Sequence, residues 1–383
     1  MKIKLTNIYS FPVRAKTDWL ILEIISENNI KGYSELTMSN YYKRDELISI
    51  TKKLIKTLSS KDIENDNQVK EILEENKEES LIFNTSISGI RSACSDIFSK
   101  IKKVPMNIYL AEIKKREKSD SVELYANINR SLLPNNHGPV DRSSSSFFNM
   151  AKKANNAGFK KIKCAPFDGF ESEEYENKKF IKAGIDKVSL ISKKFKNEIE
   201  ILVDCHSKFS LNESKVVEKK LYDLGVKWFE EPMDPQKNLK ELKELKQLIK
   251  SKLVGGEEFY GINKFYTLII NNFLDIVMPD IKYCGGIEEA MNIGVKLENI
   301  SDECFSIHCP SGPISLAGSA HVTSALSSKL PLEHAVFEIE DRHEFVYPNE
   351  NIKNGKYIFN NNFGIGVIPN FSKENKHLLK DYL

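Results

Sequence analysis

Through most of the chain, short apolar runs closed by a charged residue or a histidine alternate with longer segments of helical spacing. The runs include Leu202-Val203-Asp204-Cys205-His206, Trp228-Phe229-Glu230-Glu231, Leu253-Val254-Gly255-Gly256-Glu257, Ile276-Val277-Met278-Pro279-Asp280 and Phe305-Ser306-Ile307-His308. They recur roughly every 25 residues, room for one strand, one helix and two short loops, the repeating unit of a (β/α)8 barrel. Barrel strands are parallel, so their C-terminal ends share one mouth, and Asp204, Glu230, Glu257, Asp280 and His308 are predicted to converge there. Because a strand alternates faces, Asp204 points with His206, and Lys161 with Lys163.

Residues 1–120 carry a different pattern, that of a separate α+β domain. Strands are predicted at Ile3 to Val13, Trp19 to Ile25 and Lys31 to Leu36, and helices at Asp45 to Leu58, Asn67 to Glu75 and Ser86 to Ile101, with Ser86 as a cap. The polar loops Arg14 to Asp18 and Thr37 to Tyr42 are long enough to reach a neighbouring site. Residues 121–339 form the barrel, opening with the strand Val122 to Asn129. The loop Leu133 to Ser146 exceeds a bare connection and suits a lid. Helix Glu174 to Phe195 and strand Cys304 to His308 belong to the same alternation, which implies a parallel sheet. Residues 340–383, with a strand at Lys356 to Phe359 and the turn Gly364-Ile365-Gly366, are expected to return to the first domain.

The 383 residues exceed one barrel of about 250 and leave room for that second domain. Forty per cent hydrophobic and 29% charged residues describe a folded soluble chain. The formal net charge of +2 is spread without a basic stripe, so no nucleic-acid footprint is present. No apolar run reaches the ~18 residues of a membrane helix, and Met1 to Val13 lacks the apolar core of a signal peptide. The cytoplasm is the expected compartment. The six cysteines form no CxxC pair and are expected to be buried free thiols.

Three carboxylates at one strand register, Asp204, Glu230 and Glu257, would repel one another unless a cation lay among them. An all-oxygen set favours a hard ion such as Mg2+. The phase of the acidic pairs Glu230-Glu231 and Glu257-Glu258 stays open at this point. Lys161 and Lys163 on one strand face would lower each other's pKa, leaving one able to take a proton. Asp280 beside His308 would fix the imidazole's tautomer.

The ordered set Lys161-x-Lys163, Asp204-x-His206, Glu230-Glu231-Pro232, Gly256-Glu257, Pro279-Asp280, Gly285-Gly286 and His308-x-Pro310-Ser311-Gly312-Pro313 resembles the mandelate racemase subgroup of the enolase superfamily. Gly32-Tyr33-Ser34-Glu35 and Ala93-x-x-Asp96 extend the resemblance into the first domain. It implies an α/β fold, a modified TIM barrel, (β/α)7β, with an α+β N-terminal capping domain completed by the C-terminal tail, and a symmetric homo-oligomer. It further implies Mg2+ on Asp204, Glu230 and Glu257, and a small-molecule carboxylate substrate deprotonated at its α-carbon to an enediolate. Lys163 would serve one face of that carbon, and His308, oriented by Asp280, the other; Glu333 would hydrogen-bond the developing enediolate. His206 stands where several sugar-acid dehydratases carry a leaving-group acid. Lys161, Asn129 and Arg130 are expected to contact substrate, with Arg14, Tyr41 and Tyr42 setting its identity. The activity implied is a Mg2+-dependent dehydratase of a polyhydroxy monocarboxylic or dicarboxylic sugar acid, giving a 2-keto-3-deoxy acid; the alternative is a racemase or epimerase of a 2-hydroxy acid or a proline or hydroxyproline derivative, or a dehydratase of a hydroxyproline. Lys282 departs from the small residue expected after Pro279-Asp280.

Overall fold

The computed structural model describes residues 1–14, 17–38, 41–75, 78–133, 141–372 and 377–378. The N-terminal region opens with an antiparallel sheet of β1 (Ile3–Arg14), β2 (Thr17–Ser26) and β3 (Lys31–Glu35). Residues 377–378 add a short strand on the free edge of β1. Helices α1 (Arg44–Leu58), α2 (Asp66–Glu74), α3 (Leu81–Ile101) and α4 (Met106–Lys114) follow. The third helix starts before the predicted Ser86. Its N-cap is Ser80, whose hydroxyl accepts from Phe83 N–H, whereas Ser86 lies mid-helix and bonds Thr51. No pattern had marked α4.

The apolar runs become parallel strands. These are β4 (Ser121–Asn127), β5 (Lys161–Cys164), β6 (Glu200–Asp204), β7 (Trp228–Glu230), β8 (Lys252–Gly255) and β9 (Ile276–Val277), paired in that order, and β10 (Leu332–Ala335) pairs in parallel back onto β4. The predicted strand at Cys304 to His308 is instead an extended segment with one isolated bridge, Phe305 to Val277. Its backbone still joins its neighbours: Val277 N–H donates to Cys304 O, Ser306 N–H to Val277 O, and Glu333 N–H to Ile307 O. Pro279 has no N–H to extend that ladder, which is why β9 and its partner stay short.

Helices α5 (Ser144–Asn156), α6 (Ser172–Glu176), α7 (Lys179–Phe195), α8 (Leu211–Asp223), α9 (Leu239–Leu248), α10 (Ile262–Ile270), α11 (Ile287–Glu298) and α12 (Pro313–Ser324) cover the sheet. The single helix predicted from Glu174 to Phe195 is broken at Lys178, whose φ of 61° is left-handed. One face of the strands packs against these helices; on the other, Tyr125, Leu202, Trp228, Val254, Ile276 and Met278 form their own buried apolar layer. Two residues further along the same strands stand Asn127, Asp204 and Glu230, so this layer is a dry floor beneath a polar one.

The N-terminal region grips the loops at that polar end. Glu35, fully buried, accepts N–H bonds from Gly312 (2.9 Å) and Ser315 (3.2 Å) at the start of α12. A Cβ on Gly312 would lie 2.7 Å from Glu35 Oε2 and 2.9 Å from Trp19, so only glycine permits this approach. Ser88 and Ser92 of α3 likewise accept from Gly285 and Ile287 at the start of α11. The C-terminal segment divides its contacts: Lys356 to Ile358 pairs antiparallel with β4, whereas Ile365 N–H donates to Asp96 of α3.

Candidate active site

Lys163 sits on the polar layer, 1% exposed, with Nζ 2.7 Å from Glu230 Oε1, 2.8 Å from Glu333 Oε1 and 3.9 Å from Asp204 Oδ2. Burial opposes its charge, but Glu230, Glu333 and Asp204 outweigh that and hold its pKa well above the usual lysine value. The expectation that a neighbouring lysine lowers Lys163 is therefore corrected. Lys161 faces the other end of β5, pairs with Glu200 at 2.9 Å, half exposed, and does not line the cavity. Two residues of strand separate it from the polar layer by the thickness of the apolar floor.

Asp204 and Glu230 are direct partners across β6 and β7. Glu230 Oε2 accepts from the Trp228 indole at 2.8 Å, and burial pushes its pKa up to about 8 against the pull of Lys163. Glu231 turns away through a left-handed φ of 35° and accepts from Gly256 N–H. Glu333 also accepts from Asn127 Nδ2 (2.8 Å) and Cys309 N–H (2.9 Å).

Above this layer lies a cavity of ≈ 240 Å³, lined by Asp204, Glu257, His206, His308, Lys282 and Arg130 among others. Lys163 and Glu230 are not among the lining residues. His308 has Nδ1 2.9 Å from Asp280 Oδ2 and Nε2 2.8 Å from Glu257 Oε2. His206 has Nδ1 2.6 Å from Asp168 Oδ2 and Nε2 2.9 Å from Asp204 Oδ2. Burial lowers both imidazoles, and Glu257, Glu333 and Asp280 for His308, or Asp204 and Asp168 for His206, more than reverse it. His206 and Ser207 have φ of 45° and 58°, and Asp204 Oδ1 holds the turn through His206 N–H. Backbone held in this sparsely populated region at a strand end is a mark of a functional site.

Lys282, buried, donates to Asp280 Oδ2 (2.5 Å) and Ser311 Oγ (2.6 Å), so Asp280 is shared between a lysine and His308. Arg130 lines the cavity while bonded to Glu338; Asn129 lines it with Oδ1 turned to Arg142. Arg14 bonds the carbonyls of Leu133 and Glu338. The loop read as a lid falls largely on residues 134–140, and the side chain of Tyr41 with it, outside the described residues.

The family model described as Enolase C-terminal domain-like matches residues 148–373. The chain belongs to the enolase superfamily. Its place is with the mandelate racemase and muconate lactonizing enzymes. It is 24% identical over 199 residues to the D-xylonate dehydratase of Haloferax volcanii, a match covering 51% of this chain and 47% of that protein. It is 25% identical over 330 residues to the D-galactonate dehydratase of Pectobacterium atrosepticum, covering 84% and 78%. The chain thus spans about half the length of the first of these relatives. An enolase structure from the Sargasso Sea environmental genome superposes with a TM-score of 0.83 at 22% identity, over 97% of this chain and 95% of that one, which establishes the shared fold.

In this superfamily member the donor set itself can be tested against a metal. Asp204, Glu230 and Glu257 offer only carboxylate oxygens, at or just beyond the ends of successive strands. Their chemistry fits a hard divalent cation. In this structure their side chains are turned instead to Lys163, Trp228 and His308, and among the described residues no three His, Cys, Asp or Glu already surround one point. Sequence reasoning missed Asp168, although it follows β5 in the loop Pro166-Phe167-Asp168-Gly169, where the strand-end rule would have found it. It also missed Glu35 as the clamp on α12. All six cysteines are free and buried, and no described helix is long and apolar enough to cross a membrane.

Proposed function

We propose that this protein is a Mg2+-dependent dehydratase of sugar acids, removing the proton α to a carboxylate and expelling the β-hydroxyl to give a 2-keto-3-deoxy acid. The observation that carries it is the pair of histidine–aspartate couples, His308–Asp280 and His206–Asp168, on one cavity beside three carboxylates. The named activities of the Haloferax and Pectobacterium relatives support the same reaction class. We also read residues 121–339 as the (β/α)7β barrel, 1–120 as its capping domain and 340–383 as the tail that joins both, in a cytoplasmic enzyme.

Asp204, Glu230 and Glu257 would hold Mg2+. When bound, it would supply Lewis acidity toward the substrate carboxylate and the charge that gathers there. His308 Nε2 takes the α-proton, and Asp280 on Nδ1 fixes the ring and shares the resulting charge. The electron pair of the broken C–H bond moves toward the carboxylate. Glu333, held by Asn127 and Cys309, stands beside Lys163 below that group. His206 then gives its proton to the β-hydroxyl as the C–O bond breaks, releasing water, and the enol becomes the 2-keto product. Lys163 is sealed among Glu230, Glu333 and Asp204 rather than presented to the cavity. A base on one face alone favours elimination over racemisation. The test is a screen of sugar acids with Mg2+, detecting 2-keto acid with a carbonyl reagent. Metal-dependent product is expected; inverted α-carbon configuration without any keto product would overturn the reading.

A further inference from the structure

Three guanidinium groups surround the segment Asn129 to Leu133 where it lines the cavity. Arg14 donates to the carbonyls of Leu133 and Glu338. Arg142 donates to the carbonyls of Leu132 (2.9 Å) and Ala165 (3.0 Å) and to Asn129 Oδ1 (2.9 Å). Arg130 itself spends Nε (3.0 Å) and one terminal nitrogen on a single oxygen of Glu338. Among the described residues, then, only one of the three bonds a carboxylate. Of the other acids nearby, Glu350 is taken by Arg342, and Asp168, whose charge supports Arg142, is already held by His206 and Lys208.

Behind Arg130, whose side chain is 21% exposed, the corner is dry as well as positive. Arg14 is 8% exposed, and its Nε and that of Arg142 are buried without a hydrogen-bond partner. Glu338 Oε2 is also buried without a hydrogen-bond partner, so what the corner has in excess is positive charge, three guanidinium groups against Glu338 and a shared Asp168, and buried charge in folded proteins is matched by an anion. Arg130 faces the same cavity that Asp204, Glu257 and both histidines line, and one small molecule can touch both ends. Guanidinium groups match a carboxylate in shape and charge.

We propose that Arg130, with Arg14 behind it, binds a second carboxylate at the far end of the substrate, which makes the substrate a dicarboxylic sugar acid. The proposal rests on the dehydratase reading and narrows it. It separates this chain from the xylonate and galactonate enzymes named above, whose substrates carry one carboxylate, at an identity of 24–25%.

The experiment compares a hexaric acid with the hexonic acid of the same configuration, using the full chain with Mg2+. The diacid is expected to lead in kcat/KM by at least about tenfold, because the cationic wall at Arg130 favours the ligand that brings the matching charge. Arg130→Gln is expected to shrink that ratio toward one, chiefly by raising the diacid's KM. Arg14→Gln, which keeps the Arg130–Glu338 pair, moves it the same way, so the result does not hang on one variant's fold. A wild-type ratio at or below one, or a ratio unmoved by both variants, overturns the proposal and leaves the dehydratase reading standing. If neither acid yields keto product the dehydratase reading fails, and binding decides the proposal. Adipate raising Tm more than hexanoate in the wild type and not in Arg130→Gln upholds the anion site; equal shifts reject it.

Discussion

His308 and His206 each turn Nδ1 to an aspartate, at 2.9 Å and 2.6 Å, and Nε2 to a carboxylate at a strand end, at 2.8 Å and 2.9 Å. Each aspartate also carries a lysine, Lys282 at 2.5 Å on Asp280 and Lys208 at 3.2 Å on Asp168. What separates the two is water: the His308 side chain is 9% exposed and that of His206 is 40% exposed. A buried imidazole keeps the proton it takes, while one open to solvent can be resupplied with the proton it gives. On the proposed reaction, one arrangement of partners would serve a base at His308 and an acid at His206, with burial setting the roles apart.

The comparison breaks most visibly at His308. Replacing it with Asn is expected to cut turnover by on the order of 10³-fold and to stop α-proton exchange, since Lys163 is not among the residues that line the cavity. Substituting His206 with Asn should cost elimination roughly 10²-fold while exchange of the α-proton with heavy water continues. The aspartates sharpen the contrast: Asp280→Asn should lower kcat by about 10²-fold, and Asp168→Asn by only about tenfold, because water can partly replace Asp168 at the open ring. Equal losses for the two would dissolve the distinction.

A subtler expectation concerns pH. Burial pushes Glu230 up to about 8 against the pull of Lys163, and the ionised carboxylate is the form that binds a cation. Its raised pKa means ionisation lags the usual carboxylate range, so Mg2+ affinity should climb from pH 6 through 8 and then level. Calorimetric titration at four pH values would show it, and affinity falling over that range would contradict the assignment. Lys161→Ala, at the far end of β5, should change stability by no more than about 0.5 kcal/mol and leave kcat alone, as a half-exposed pair with Glu200 contributes little.

Much of this was legible in the chain. A charged residue closing each apolar run gave Asp204, Glu230, Glu257, Asp280 and His308 their common end, because strand alternation and parallel pairing are local and repetitive. Glu230 and Glu231 could not be separated that way, since the choice turns on a left-handed backbone at Glu231. Lys161 shares a strand face with Lys163 and yet lies beyond the apolar floor, a matter of depth that periodicity does not carry. The short seventh segment at Cys304 to His308 depended on where Pro279 interrupts its neighbour's hydrogen bonds. Asp168, Glu35 and Arg14 act through residues distant in sequence, and such pairings emerge only when the loops are folded together.

The most direct test of the account is deuterium uptake at the α-carbon, followed by NMR in heavy water, for Mg2+-loaded His206→Asn with a substrate that the wild type dehydrates. The account predicts steady uptake with retained configuration and little keto product. Loss of uptake along with elimination, or dehydration at the wild-type rate, would contradict the division of labour between the two histidines.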